Sequence, residues 1–233
     1  MTLPAANQLT LGVSLDDEAK FANYVVNPAN EQALSRLSDN HRPDQYLYVW
    51  GSGSPGLSHL LQAACQQAAL DNQPAIYIPL SEKSQFSPEI VSGADALSLV
   101  CIDDMDQLNG DAEWELALFN AFNLIIDSNT RLIIAAKMAP AELDIRLHDL
   151  HSRLQSGLVF QLTELSDDEK LIALQLRARN RGMQLADAVA EFILLRAERS
   201  LAGLMAVLDK LDESSLRERR SLTIPLVKST MGW

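Results

Sequence analysis

Short apolar segments alternate with longer amphipathic segments over the first two thirds of the chain. The apolar segments are continuous, without the apolar–polar alternation of a half-exposed sheet, which is typical of parallel strands covered on both faces. The segments between them, notably Ser58 to Asp71 and Asp111 to Ser128, are predicted to be helices. The pattern therefore predicts an α/β fold in three layers, with a five-stranded parallel sheet and right-handed crossovers. The predicted strands are Tyr46 to Trp50, Ala75 to Leu80, Leu97 to Ile102, Arg131 to Ala136 and Val159 to Leu162.

The strand pattern stops after residue 165, and only helical patterns follow. Ser166 and Glu169 have the spacing of a capping box, and the helix that they open is expected to end at Gly182. Three further helices are predicted, over about Leu185 to Glu198, over about Arg199 to Asp212, and from Thr223 with Pro225 in its first turn. We therefore expect a flexible tail over 1–15, an α/β domain over 16–165 and a small all-helical lid domain over 166–233.

Charge divides the chain at the same place. The formal net charge is −12, and residues 1–166 carry 21 acidic and 8 basic side chains against 10 and 11 in residues 167–233. The acidic part argues against sequence-independent DNA binding, which needs a basic surface. We expect a cytoplasmic protein outside the membrane, because neither a secretory signal nor an apolar run of roughly 20 residues occurs. Cys65 and Cys101 lie in apolar stretches and are expected to be buried thiols.

A glycine-rich loop joins the first predicted strand to the helix after it. Residues 51–58 match the phosphate-loop pattern G-x-x-x-x-G-K-[ST] at both glycines and at Ser58, but Leu57 stands where the pattern has lysine. Such a loop turns backbone N–H groups toward a phosphate, and the helix N-terminus adds partial positive charge. The alternative is a turn that binds nothing. The residues predicted to surround the phosphates are Gly53, Ser54, Pro55, Gly56, Leu57, Ser58 and His59.

Two carboxylates follow the third predicted strand. Ligands bind at the carboxyl ends of strands in open α/β sheets, so we expect Asp103, with Ser58, to hold magnesium and Asp104 to polarise a water. The alternative is a strand end followed by solvated acids. The fourth strand leads through Ala135 and Ala136 into Lys137, and alanines cannot orient an attacking water. The sequence therefore favours a site that holds a nucleotide over one that hydrolyses it efficiently.

Two arginines are candidates for contacting phosphates. Arg153 ends a predicted helix before the last strand, from where it could reach a neighbouring protein's nucleotide as an arginine finger. Arg199 opens the third helix of the small domain and could fold back onto this chain's own phosphates. For each of them the alternative is an ordinary surface cation.

These motifs resemble the family of the bacterial replication initiator DnaA. Residues 56–63 resemble its G-K-T-H-L-L-x-A stretch, and residues 21–30 resemble the F-x-N-F-V-V-G-x-x-N segment of its AAA+ domain. Asp103, Arg153 and Arg199 fall at its Walker B, arginine-finger and sensor 2 positions. The resemblance covers residues 17–233 and lacks the origin-reading helix-turn-helix domain. It implies an AAA+ domain whose base and ribose contacts come from Phe21, Tyr24, Val25 and Val26.

The segment Gln8, Leu9, Thr10, Leu11 resembles the Q-L-x-L sliding-clamp-binding peptide of short regulatory members of that family. Leu9 and Leu11 would be apolar anchors, and Gln8 would bond to the pocket rim. The alternative is a tail with chance leucines, and Gly12 departs from the usual continuation. The resemblance implies an ADP-bound negative regulator of replication initiation that reaches DNA through the clamp.

The same resemblance implies how such a regulator acts. Arg153 would stimulate ATP hydrolysis by DnaA in trans, while the chain itself, with bound ADP and magnesium, hydrolyses little or nothing. Two copies would pair through the edge that carries this arginine. Two other functions stay open: a self-contained AAA+ ATPase of the helicase-loader type, and a scaffold that binds no nucleotide.

Overall fold

Five parallel strands form one sheet at the centre of the protein. The computed structural model describes residues 15–39, 44–53, 55–218 and 222–233, the last four residues before 219 by their backbone alone. The strands are β1 (Tyr46–Trp50), β2 (Ala75–Pro79), β3 (Leu99–Asp103), β4 (Arg131–Ala136) and β5 (Leu158–Gln161). Their bounds differ from the predicted ones by at most two residues. The strand order is β2-β3-β4-β1-β5, which confirms the predicted five-stranded parallel sheet.

Helices cover both faces of the central strands: α1 (Glu31–Ser38), α2 (Leu57–Leu70), α3 (Ala112–Asp127) and α4 (His148–Leu154). Successive side chains of a strand point to opposite faces. On β1, Tyr48 packs on the side of α3 and α4, whereas Leu47 and Val49 pack on the side of α1 and α2. Both sides are apolar, which explains the continuous apolar pattern of these strands.

The edge strand β5 departs from the expected coverage on both faces. It pairs with β1 on one side, and Leu158 and Val159 are each 42% exposed. The connection from β2 to β3 also lacks an α-helix and consists of short 3-10 turns, one of which begins at Pro88 and another just after Gly93. Proline and a positive-φ glycine so close together interrupt an α-helix.

Four helices follow the sheet: α5 (Asp167–Asn180), α6 (Asp187–Arg196), α7 (Leu201–Glu218) and α8 (Ile224–Met231). The predicted capping box is present, since the Ser166 N–H donates to Glu169 Oε2 at 2.7 Å and the Glu169 N–H donates to Ser166 Oγ at 3.3 Å. Gly182, with φ +74°, lies just beyond α5 where the sequence predicts its end. α7 runs six residues beyond the predicted Asp212. Among the described residues, no helix has the length and apolar character needed to cross a membrane.

Replacing Ser166 by Ala is expected to lower the free energy of unfolding by about 1 kcal/mol, because it leaves a first-turn N–H of α5 without its acceptor. Urea denaturation followed by circular dichroism measures the change. Ser152→Ala on the exposed face of α4 is the control and should change stability little. Equal stability of the Ser166 variant and the unmodified protein would contradict a stabilising cap.

Candidate functional site

A cavity of about 700 Å³ lies at the carboxyl ends of the central strands, a volume in the range of small-molecule sites. Four parts of the chain line it: the segment before α1, the loop after β1, the ends of β3 and β4, and the lid helices α5 and α7. Cys65 and Cys101 are buried free thiols, as the sequence predicts, and neither lines the cavity. The lining residues that the sequence pointed to are Tyr24, Val25, Gly53, Pro55, Gly56, Leu57, Ser58, His59, Asp103 and Asp104.

The loop after β1 keeps its shape through glycine conformations and one tyrosine. Gly53 and Gly56 have φ values of +77° and +85°, which side-chain-bearing residues rarely adopt. The Tyr24 hydroxyl donates a hydrogen bond to the Pro55 carbonyl at 2.8 Å, and a Cβ on Gly56 would approach the Tyr24 ring at 2.9 Å. Leu57 is 9% exposed and packs into the core beneath the loop. The first turn of α2 therefore faces the cavity with backbone N–H groups and the exposed Ser58.

Asp103 is a buried carboxylate at the end of β3, with 2% exposure. Its Oδ2 accepts a hydrogen bond from the Tyr77 hydroxyl at 2.7 Å, and its Oδ1 accepts one from the Asp104 N–H at 2.9 Å. Burial raises the pKa of Asp103, while the side chains of Ser58 and Tyr77 act in the opposite direction. Burial, and then the Asp103 carboxylate, raise the pKa of Tyr77. The phenol therefore stays protonated and donates its hydrogen bond to Asp103.

His59 belongs to the wall of the cavity, and its ring is held by a backbone carbonyl. Its ring Nε2 donates to the Lys20 carbonyl at 2.9 Å, and its ring centroid lies 6.0 Å from that of Tyr24. Burial lowers the pKa of His59, so the ring is neutral near pH 7. The side chain thus joins the phosphate loop to the segment before Phe21.

Several predicted contacts do not lie on the cavity. Phe21 packs against the core, and Val26 is 40% exposed and faces a shallow groove on the far side of the segment. The Arg199 side chain is 72% exposed and lies 3.9 Å from Asp167. Arg153 is exposed on α4, away from the cavity. Ser54 and the tail residues Gln8, Leu9 and Leu11 fall outside the described residues.

Two arginines of the lid line the cavity, and neither was predicted from the sequence. Arg177 donates a hydrogen bond to Asp16 at 2.8 Å and forms an ion pair with Glu18 at 2.9 Å, while Arg181 forms ion pairs with Glu18 at 2.7 Å and with Asp209 of α7 at 2.6 Å. We call these five residues the lid clasp. The two arginines are four residues apart and share a helix face, which is the sequence signal that could have indicated them. The clasp fastens the lid to the segment before the sheet.

The donor set fits a diphosphate with magnesium better than a metal alone. Among the described residues, no group of three or more His, Cys, Asp or Glu side chains is arranged to hold a metal ion. Magnesium usually keeps several waters and takes one or two carboxylates together with phosphate oxygens. Asp103 and Ser58, which both line the cavity and lie next to each other, suit that second arrangement.

A glycine-rich loop after a central parallel strand, with a helical lid above it, defines a nucleotide-binding fold of the AAA+ class. Comparison with known families makes the assignment more specific. A family model of the bacterial DnaA ATPase domain matches residues 15–161, and one described as the lid domain of Hda matches residues 167–231. The chain therefore belongs to the DnaA-related AAA+ family, and its lid helices match those of Hda.

Solved structures share the fold at low sequence identity. Domain III of the replication initiation protein DnaA from Thermotoga maritima is 21% identical, with a TM-score of 0.79 over 94% of this chain and 98% of that one. AMPPCP-bound DnaA from Aquifex aeolicus is 20% identical, with a TM-score of 0.70 over 88% and 71%. The Holliday junction branch migration motor RuvB of Thermotoga maritima is 16% identical, with a TM-score of 0.66 over 92% and 71%.

Replacing Asp103 by Asn is expected to stabilise the folded protein increasingly as pH rises. Because the folded-state pKa of Asp103 lies above its ordinary value, the carboxyl contributes stability at low pH that is lost as pH rises through that raised pKa. Asparagine has no such loss. Urea unfolding from pH 4 to pH 8 measures the effect, with the exposed Asp149→Asn as control. A stability difference that is flat with pH would contradict the raised pKa.

Proposed function

We propose that this chain is a negative regulator of replication initiation that binds ADP, tethers to the sliding clamp and stimulates ATP hydrolysis by DnaA. The proposal divides the chain into a clamp-binding tail over 1–15, a nucleotide-binding domain over 16–165 and a lid over 166–233. The observation that carries it is an exposed arginine, Arg153, whose side chain pairs with none of the described residues, on a DnaA-type fold whose own loop lacks lysine. Such a protein is better equipped to complete a partner's site than to turn over nucleotide itself.

Arg153 has the exposure and the rigid support that an arginine finger needs. Within the part of the chain that the structure describes, its side chain takes part in no hydrogen bond or ion pair. Leu150 and Leu154 on the buried face of α4 are 1% and 0% exposed and fasten the helix to the core. The guanidinium can therefore meet the γ-phosphate of ATP on DnaA without first breaking a bond. An arginine in that position stabilises transition-state charge and raises hydrolysis by about 10³–10⁵-fold.

The chain's own cavity suits a bound diphosphate. Backbone N–H groups at the start of α2 and the Ser58 hydroxyl would hold the phosphates, and Tyr24 and Val25 would lie against the nucleoside. Asp103 and Ser58 would hold magnesium, which neutralises phosphate charge when bound. A lysine reaches the β- and γ-phosphates in the usual loop, so Leu57 favours ADP over ATP.

The tail supplies the link to DNA. Gln8, Leu9 and Leu11 have the residue types of a clamp-binding peptide, and this part of the proposal rests on the sequence. The structure adds that the chain after the tail is fixed, because the Asp16 N–H donates to Gln62 Oε1 at 2.8 Å and Gln66 Nε2 donates to the Asp16 carbonyl at 2.6 Å. A clamp bound to the tail would therefore lie close to the nucleotide-binding domain, in reach of DnaA on the same DNA.

A self-contained ATPase of the helicase-loader type is the second candidate. Against it, Ala135 and Ala136 at the end of β4 are 0% and 1% exposed and offer no polar side-chain atom to a water. A scaffold that binds no nucleotide is the third candidate. Hydrolysis by the isolated chain would favour the second candidate, and absence of an ADP-induced rise in melting temperature would favour the third.

The exposed Leu158 and Val159, which follow Arg153 in the chain, also suit pairing of two copies, and sedimentation measures such pairing.

Replacing Arg153 by Ala is expected to abolish the stimulation of DnaA-bound ATP hydrolysis, a loss of at least about 10³-fold if the arginine acts as a finger. The assay contains DnaA, clamp, DNA and this chain, and omits each in turn. Nucleotide and clamp binding should be unchanged. Arg179→Ala, at another exposed arginine near a helix end, is the matched control. Normal stimulation by the Arg153 variant would show that the finger assignment is wrong.

Replacing Leu9 and Leu11 together by Ala is expected to remove clamp binding, because both apolar anchors are lost. Surface plasmon resonance on immobilised clamp measures it. Thr10→Ala changes the residue between the anchors and should bind normally. ADP binding should be equal in all three proteins, and clamp binding that survives the double change would place the contact elsewhere.

A further inference from the structure

The cavity is short of positive charge at the position where a phosphate loop normally has it. Leu57 replaces the loop lysine, and its side chain packs into the core. The lining is already acidic on balance, with Asp16, Asp103, Asp104 and Asp209 against three basic side chains. Backbone N–H groups provide only partial charges. A nucleoside diphosphate bound there needs a full positive charge from another part of the wall.

Two of the three basic side chains on the wall are already paired. Arg177 and Arg181 belong to the lid clasp, where their guanidinium groups bond to Asp16, Glu18 and Asp209 at 2.6–2.9 Å. His59 is neutral and donates to a backbone carbonyl. The third basic side chain is Lys137. No carboxylate oxygen of a described residue lies within 4.0 Å of its ammonium, and its side chain is exposed to the cavity.

The sheet brings Lys137 next to the phosphate loop. β4 lies between β3 and β1, and its Ala136 is the register partner of Trp50. The Gly51 N–H donates to the Ala136 carbonyl at 3.2 Å, so Lys137 and the first residue of the loop leave the sheet side by side. The Lys137 N–H donates to Asp106 Oδ1 at 3.0 Å, which fixes its backbone. Lys137 thus starts from a fixed point at the same edge as Asp103.

We propose that Lys137 supplies the phosphate-binding charge that Leu57 cannot, so that the cation has moved from the loop to the end of the neighbouring strand. The inference rests on the proposed binding of a nucleoside diphosphate. A lysine stem of four carbons from the end of β4 approaches the phosphates from the sheet, whereas a loop lysine approaches them from the start of α2. This position explains how the chain can bind a diphosphate with leucine in its loop.

Calorimetry of ADP and of adenosine with the full chain tests the proposal. Lys137→Met keeps the length of the side chain and removes the charge, and it should weaken ADP binding roughly 10- to 100-fold, the range of a charge-assisted hydrogen bond. Adenosine, which has no phosphate, should bind both proteins equally. Lys210→Met, an exposed lysine on α7, is the control. Unchanged ADP binding by Lys137→Met, or an equal loss for adenosine, would overturn the proposal.

A double replacement makes the test specific to the relocated charge. Leu57→Lys restores the usual loop cation, so it should recover ADP affinity in the Lys137→Met protein. Lys137→Met should then cost less in the Leu57→Lys background than in the unmodified chain. Additive effects of the two replacements would contradict a shared role. If the unmodified protein binds no ADP, the proposed function fails with it, whereas ADP binding that ignores Lys137 overturns this inference alone.

Discussion

The pairing of β1 with β4 is the constraint on which the site depends. Because the two strands are parallel and in register up to Trp50 and Ala136, the loop after β1 and the chain after β4 leave the sheet at one level. β3 joins the same row on the other side of β4, which brings the buried Asp103 to that edge. The glycine-rich loop, the Asp103 carboxylate and Lys137 therefore meet at one edge of the sheet, and the hydrogen bonds of Tyr24, Tyr77 and Asp106 then hold them there.

Regular structure was largely predictable from the sequence because it depends on local pattern. β1 and β4 have the predicted bounds, since an apolar run between polar flanks fixes both ends of a buried strand. The capping box at Ser166 also places the start of α5 to the residue, because a cap is a contact within four residues. β5 was harder. Its apolar residues are the same types as those of the central strands, and only the sheet order shows that it lies at the edge.

The cavity was predictable where it follows from a motif and unpredictable where distant segments meet. The loop residues line it because the strand–loop–helix unit is local. Tyr24 lines it through a hydrogen bond to Pro55, 31 residues away. Arg177 pairs with Asp16 across 161 residues, and no local pattern encodes such a contact. For Arg199 the local motif is present, but the side chain is exposed to solvent and does not line the cavity.

The lid clasp separates the position of the lid from the contents of the cavity. In many nucleotide-driven machines, charged lid residues bond to the nucleotide itself, so the lid moves when a phosphate is lost. Here Glu18 and Asp209 take those bonds from within the chain, at side-chain exposures of 26% and 57%. A lid held in this way would keep the surface that a partner meets the same before and after a change of nucleotide. Under the proposed function the chain would then need no movement of its own lid, and the ATP bound to the partner would set the timing of its action.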